Sequence, residues 1–469
     1  MKKLLILLFL LLPGTLTWLS CGSSSSGGGK TSGIPYRAFV SDSVSTGTSS
    51  AGIYIVDAQN DIHPGTLTPI SAGNTPGMMV VTPNRAQTLV FSGNNLLSSD
   101  NTFNIINNAA ETNAAHVTLP GYTESFVVSP DSSTAYVAVP TAAVAGQSPG
   151  AIKVVGLSAG AFTGEVDIPS VHYLSMNNSG DRILAFSSNS DSVAVVTPSN
   201  LGTQNPVVTY IGGFDRPVQA SFSSDDTTAY VVNCGVECGG NQASIQQLDM
   251  TTGTLGPKGA VCVTDPTQGV QCAASIALVD GSTMYLAGTP YTSGPNSSPS
   301  FTCNGAQGET LTCGLLTIFD LTTMQPVPPP NCPAGQQCPI AITDGYHNRI
   351  AMGSNGQLFI GARTCTEIVP PQPPPQGAEV RGCLSIYNTQ GVAVGSIQPG
   401  AVTIPPETGD VTGIQPIATR DVVYLIQGQN VQGGTLYIYD TTTDAVDTVE
   451  EQNLSNLVGN FVDVKTVDF

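Results

Sequence analysis

The sequence predicts an all-β fold: a β-propeller of about eight four-stranded blades, with seven possible, closed by the C-terminal strand. Three observations carry this. A strand–tight turn–strand–longer loop–strand pattern recurs along the chain, at a spacing of about 40–70 residues, which is how a repeated blade reads in sequence. Its clearest middle strands are Arg37–Val40, Thr134–Val137, Thr228–Val231 and Val422–Leu425. Glycine (51) and proline (34) are abundant, and helix-like periodicity is scarce, as a turn-rich β fold requires. The last segment, Val462–Phe469, alternates like a strand and has no hairpin partner of its own, whereas the first repeat lacks a preceding strand. Pairing the two ends removes an open sheet edge and locks the ring.

The chain begins with Lys2 and Lys3, an apolar run from Leu4 to Leu12 and the break Pro13-Gly14. That is a secretory signal, too short to span a bilayer, and no later stretch reaches about 18 apolar residues. Leu19-Ser20-Cys21 resembles the end of a bacterial lipoprotein signal, with Trp18 where leucine is usual. The resemblance implies a signal peptide over 1–20, a lipid on Cys21 and a Ser/Gly tether over 21–33. Gly22 after the cysteine is similar to lipoproteins sent to the outer membrane. The expected protein is exported and lipid-anchored in the cell envelope, touching the membrane through that anchor alone. The propeller domain is expected over 34–469.

Acidic residues outnumber Lys and Arg by 33 to 14, and losing Lys2 and Lys3 with the signal takes the net charge from −19 to −21. Such a surface repels nucleic acid and anionic headgroups, which need a basic footprint. The one tryptophan lies in the signal, which argues against an aromatic sugar cleft.

Apart from Cys21 there are ten cysteines, an even number suited to an oxidising compartment. They fall in sequential pairs: Cys234/Cys238, Cys262/Cys272, Cys303/Cys313, Cys332/Cys338 and Cys365/Cys383. Sequence leaves connectivity open, and short-range disulfides are the expectation. The spacings lack the matching second half of a zinc site.

Within the repeat, Ser129-Pro130-Asp131 precedes Tyr136-Val137, and Ser224-Asp225-Asp226 precedes Tyr230-Val231. Strands ending in Asp recur as Ile55-Val56-Asp57, Ile318-Phe319-Asp320-Leu321-Thr322-Thr323 and Ile438-Tyr439-Asp440-Thr441-Thr442. These motifs resemble the YVTN-type β-propeller repeat, with Ser132 where the family turn carries glycine. The resemblance implies a fold, not a chemistry.

Loop lengths divide the ring into two faces. Turns from first to second strand are short (130–133, 179–181, 224–227, 280–282, 354–356), whereas loops from second to third strand are long (140–150, 234–242, 289–313, 364–382). Three cysteine pairs fall in the long loops and Cys262/Cys272 falls in a connection between blades on the same face; Cys332/Cys338 is unplaced. Loops held on a rigid scaffold are where binding concentrates. The Pro-rich stretches Val369–Pro375 and Pro326–Pro330 read as stiff spacers or docking segments.

Aligning the repeats puts Glu124, His172 and His347 where innermost strands start, near the channel mouth on the long-loop face, with Arg216 one residue out of register. Such residues can do acid/base work or hold a metal. Glu124 and His172 fall on neighbouring blades and His347 three blades further round. The innermost strands otherwise show almost no ionisable residue before Lys465. No Gly-x-Ser-x-Gly, Walker or His-Glu-x-x-His motif occurs. No cofactor is expected, beyond weak Ca²⁺ binding at turns such as Asp225-Asp226. The leading expectation is a non-catalytic binding or scaffold module that engages an envelope protein or polymer through its disulfide-clipped loops. The alternatives are a propeller-type lactonase or metal-dependent hydrolase at the channel mouth, or a cofactor seat in the channel.

Overall fold

A computed structural model describes residues 31–43, 50–93, 100–201, 208–265, 268–290, 301–304, 310–368, 381–428, 434–448, 450, 454, 457 and 459–468. Cys21, the signal and the tether up to residue 30 lie outside the described residues, as does Val369–Pro375. Among the described residues no helix is long and apolar enough to cross a membrane.

Eight antiparallel sheets form the ring, numbered I to VIII from the first repeat. Blade I combines Phe461–Thr466, Arg37–Asp42 and Gly52–Asp57, with Ile62 and Ile70 bridging its outer strand. Innermost strands of blades II to VIII are Pro76–Val81, Phe126–Val128, Val171–Met176, Pro217–Phe222, Ile276–Asp280, Tyr346–Met352 and Asp410–Pro416. Eight blades form rather than seven: Thr102–Asn107 is the third strand of a four-stranded blade II, and Gln357–Arg363 the second of a four-stranded blade VII.

The two-residue alternation of each second strand explains why blades stack. In Thr134–Val139, Ala135, Val137 and Val139 pack with Leu89, Phe91 and Ile105 of blade II. Tyr136 and Ala138 point the opposite way, against Leu174, Ile183 and Ala185 of blade IV. A strand buried on both faces serves two interfaces at once. Similar clusters lie between each successive pair of blades, including VIII and I.

Closure follows the expected route. Phe461–Thr466 pairs antiparallel with Arg37–Asp42, with Val464 opposite Val40 and Thr466 opposite Ala38. An ionic clasp reinforces it. Arg37, 1 % exposed, donates to Asp468 through Nε (2.9 Å) and Nη2 (2.9 Å), and to Glu111 through Nη1 (2.7 Å). Asp468 follows the last strand and Glu111 lies in a blade II turn, so one side chain joins the seam to its neighbour. Glu111 also accepts from the Ser32 N–H and hydroxyl (2.6 Å each), which brings the start of the described chain to this same face.

The short turns on that face interlock. Asp226 of blade V accepts from the Asn178 and Ser179 amides of blade IV (2.9 and 2.8 Å). The Asn84 amide of blade II donates to the Ser132 hydroxyl of blade III (3.0 Å), and Arg420 of blade VIII binds Asp61 of blade I. Ser132 has φ +60°, close to the +74° of Gly180 in the next blade's turn. The turn therefore keeps its left-handed residue without glycine, at some backbone cost.

Candidate functional site: the rim and the channel mouth

All five disulfides form between the expected sequential partners. Disulfides in this number mark an extracytoplasmic, oxidising location. Four lie on the long-loop face, here called the rim. Cys234–Cys238 closes a 3-10 turn (Gly235–Cys238), and Cys262–Cys272 bridges a hairpin between blades V and VI. Cys303–Cys313 bridges a hairpin inserted in blade VI, and Cys365–Cys383 ties the ends of the long blade VII loop. The fifth, Cys332–Cys338, sits where the outer strand of blade VI is interrupted. Gln325–Val327 and Ile340–Ile342 both pair with Gly314–Asp320, and residues 328–339 loop out between them.

Buried aspartates at the start of innermost strands pin these loops down. Asp215 accepts from the Asn241 and Gln242 amides (2.9 and 2.8 Å). Asp344 accepts from the Thr366 amide and hydroxyl (2.6 Å each), and Asp410 from the Thr364 amide (2.6 Å). A carboxylate collecting amide donors orders a loop that has no sheet of its own to join.

Inside the rim, the central channel opens into a cavity of about 160 Å³ lined by residues of blades I to VII. Met78, Phe91, Val218, Ile276 and Val462 supply apolar wall. The polar lining includes Glu124, Arg349 and Arg363. Tyr173 of blade IV and Tyr346 of blade VII meet across the mouth, their hydroxyls 3.1 Å apart. Both also line a second, outer cavity with His172 and Arg216, so the tyrosine pair forms a bar between the two.

Of the residues singled out by register, the fold brings two together: His172 Nε2 lies 2.7 Å from Glu124 Oε2, with both side chains partly exposed. Arg216 sits in the outer cavity, 3.5 Å from Asp191, and its Nη1 donates to the Asn189 carbonyl (2.5 Å). His347 turns its ring into the blade, where absence of a side chain at Gly314 leaves space for it. Its Nε2 lies 3.0 Å from the Thr343 carbonyl, and burial lowers its pKa from the usual 6.5 to about 4.

The inner strands are more ionisable than the sequence register suggested. Arg349 lies on the blade VII inner strand, and buried Asp463 lies on that of blade I, where it accepts from the Met79 amide (2.8 Å) and from Lys465 (2.9 Å). Glu237 was not anticipated either. It follows Val236 in the Cys234–Cys238 turn, and its Oε2 fits the space left by Gly288 and accepts from the Thr289 amide (3.1 Å). Burial pushes its pKa up to about 8, against the opposing pull of the Thr289 amide and Ser275 hydroxyl.

Asp225 and Asp226 spend their carboxylates on the turn: Asp225 on Ser223 (2.7 Å) and Thr227, Asp226 on blade IV. Among the described residues, Cys365, Glu367 and Cys383 are the one grouping with metal-ligating atoms close together, and the disulfide leaves no thiolate there.

No protein-family profile matches the chain, and no curated protein matches it by sequence. Solved structures match it in fold. Dihydro-heme d1 dehydrogenase NirN, in complex with DHE, is 9 % identical with a TM-score of 0.54, over 94 % of this chain and 79 % of that one. The Dos1 propeller is 10 % identical with a TM-score of 0.51, over 80 % and 84 %. At such identities the likeness extends to architecture alone: this chain is an eight-bladed β-propeller.

Proposed function

We propose that the protein is an exported, lipid-anchored binding module that engages an envelope protein or polymer through the rim. One observation carries this reading: four of five disulfides lie on a single face, in loops that add nothing to the blade sheets. Closing a loop covalently lowers the entropy lost when it is ordered against a partner. The position of Ser32 on the opposite, turn face supports the geometry. A tether running from there to Cys21 leaves the rim pointing away from the membrane.

The test compares the intact protein with a variant lacking Pro290–Ser300 and Val369–Pro375, both immobilised and exposed to envelope extract. A component retained by the intact protein and lost from the trimmed, still-folded one is the expected result. Equal retention by both, or by neither, removes the rim as the binding surface.

The Glu124–His172 contact favours a second reading, a lactonase or metal-dependent hydrolase at the channel mouth. It expects lactone turnover that His172→Gln abolishes while the thermal melt is unchanged.

A further inference from the structure

Arginine placement in the channel points to a ligand of a different kind from the rim partner. Acids outnumber bases by 33 to 14 in this chain, so a cation has every chance of finding a carboxylate. Among the described residues, Arg37, Lys153, Arg182, Arg216, Arg420 and Lys465 do so. Arg349 and Arg363, like the surface cations Arg85 and Lys258, take part in no such ion pair, but these two line one cavity, where the nearest carboxylates, Glu124 and Asp410, act on Arg363 only at longer range. Burial, and after it the nearby charge of Arg349, depresses the pKa of Arg363, with Glu124 and Asp410 offsetting part of the effect. Two like charges in a partly desolvated site cost free energy, which Glu124 and Asp410 offset in part and a bound anion would offset further.

Both side chains are oriented by neutral acceptors. Arg349 Nε donates to the Thr412 carbonyl (2.7 Å) and its Nη1 to the Asn348 carbonyl (2.9 Å). The Asn348 side-chain oxygen, in the amide orientation that satisfies both partners, accepts from Arg363 Nε (2.7 Å) and Nη2 (3.1 Å). Those acceptors leave Arg349 Nη2 and Arg363 Nη1 for a further partner. Fixed guanidiniums with spare N–H groups suit an oxyanion.

We propose that the channel beneath the Tyr173–Tyr346 bar binds a small organic carboxylate, its anionic end between Arg349 and Arg363 and its apolar body against Met78, Phe91, Val218 and Ile276. The apolar wall decides between oxyanions: an inorganic phosphate leaves it wet, whereas a hydrocarbon body covers it. Glu124 on the same wall disfavours a ligand of higher negative charge.

Titration calorimetry of the purified protein with benzoate, benzyl alcohol and inorganic phosphate tests this. Benzoate is expected to bind saturably and benzyl alcohol not to bind. Arg363→Gln or Arg349→Gln should weaken benzoate by about tenfold or more. Lys258→Gln, which removes an exposed cation, should leave it unchanged. Near-UV circular dichroism checks that the variants are folded; if neither arginine variant folds, benzoate against benzyl alcohol on the native protein decides. Phosphate displacing benzoate at equal or lower concentration overturns the assignment to an organic carboxylate. Equal weakening by Lys258→Gln and Arg363→Gln, or no saturable benzoate binding, overturns the site.

Discussion

The turn face and the rim belong to the same eight blades and are held by different chemistry. On the turn face, short turns interlock blade to blade: Asp226 on Asn178 and Ser179, Ser132 on Asn84, Arg420 on Asp61. The buried Arg37 clasp fastens the seam there. On the rim, long insertions are closed on themselves by disulfides and pinned by Asp215, Asp344 and Asp410. The difference teaches that one face fixes the order and closure of the ring, which leaves the other free to carry insertions. A change on the turn face should therefore unsettle the whole ring, and a change on the rim should act locally.

Arg37→Ala gives the strongest attempt to break that contrast. It strands Glu111 and Asp468 without their cation, and losing one partner of a buried ion pair costs about 3–5 kcal/mol. Urea denaturation should show a large fall in midpoint; a change confined to a few tenths of a molar would place closure in strand pairing alone. Next in size, breaking the short Cys234–Cys238 loop alone should lower global stability by about 2 kcal/mol, the size expected of so small a closed loop. Limited proteolysis of reduced protein should cut first within the rim loops; early cuts in the blades would refute the division.

A smaller effect concerns pH. Glu237 has a folded-state pKa of about 8, above the carboxyl value in an unfolded chain, so the folded form holds its proton more tightly. Its contribution to stability is present in full below the ordinary carboxyl range and is lost as pH rises from there through 8. His347 has the opposite sign: its value near 4 gives stability present above about 6.5 that is lost as pH falls through 4. Glu237→Gln should remove part of the fall in melting temperature between the ordinary carboxyl range and pH 8, and leave the slope below that range alone. Smallest of all, Asp226→Ala should cost about 1 kcal/mol, since its hydrogen bonds are exposed and its turn keeps its backbone. A melt shift of a degree or two is expected from it.

What the sequence made legible follows from how local each signal is. Strand alternation and turn residues are near neighbours in the chain, so strands such as Thr134–Val139 and Ala151–Gly156 could be outlined almost residue by residue, whereas the outermost strands, such as Ala161–Asp167, could not. The disulfides were legible for the same reason, joining cysteines 4 to 18 positions apart. The closing strand was readable because an unpaired strand at each end implies one solution. The channel was less readable. Tyr173 meets Tyr346 from three blades away, and Glu237 owes its raised pKa to burial in the space left by Gly288 of another blade. A register alignment can place His347 at a strand start. It cannot show that the adjacent residue, Asn348, would hold Arg363 while His347 turned inward toward Gly314.

The Arg37 clasp has one more consequence. Because Asp468 binds Arg37 directly and Ser32 binds Glu111, which Arg37 also holds, the two ends of the described chain lie side by side on one face. With blades meeting through comparable apolar contacts all the way round, no blade is intrinsically first. A short linker from Asp468 to Ser32, with new ends cut at a rim loop, should yield a circular permutant with the same ring. In that molecule the seam would become an ordinary covalent turn, and the opening would move to the face that already tolerates insertions.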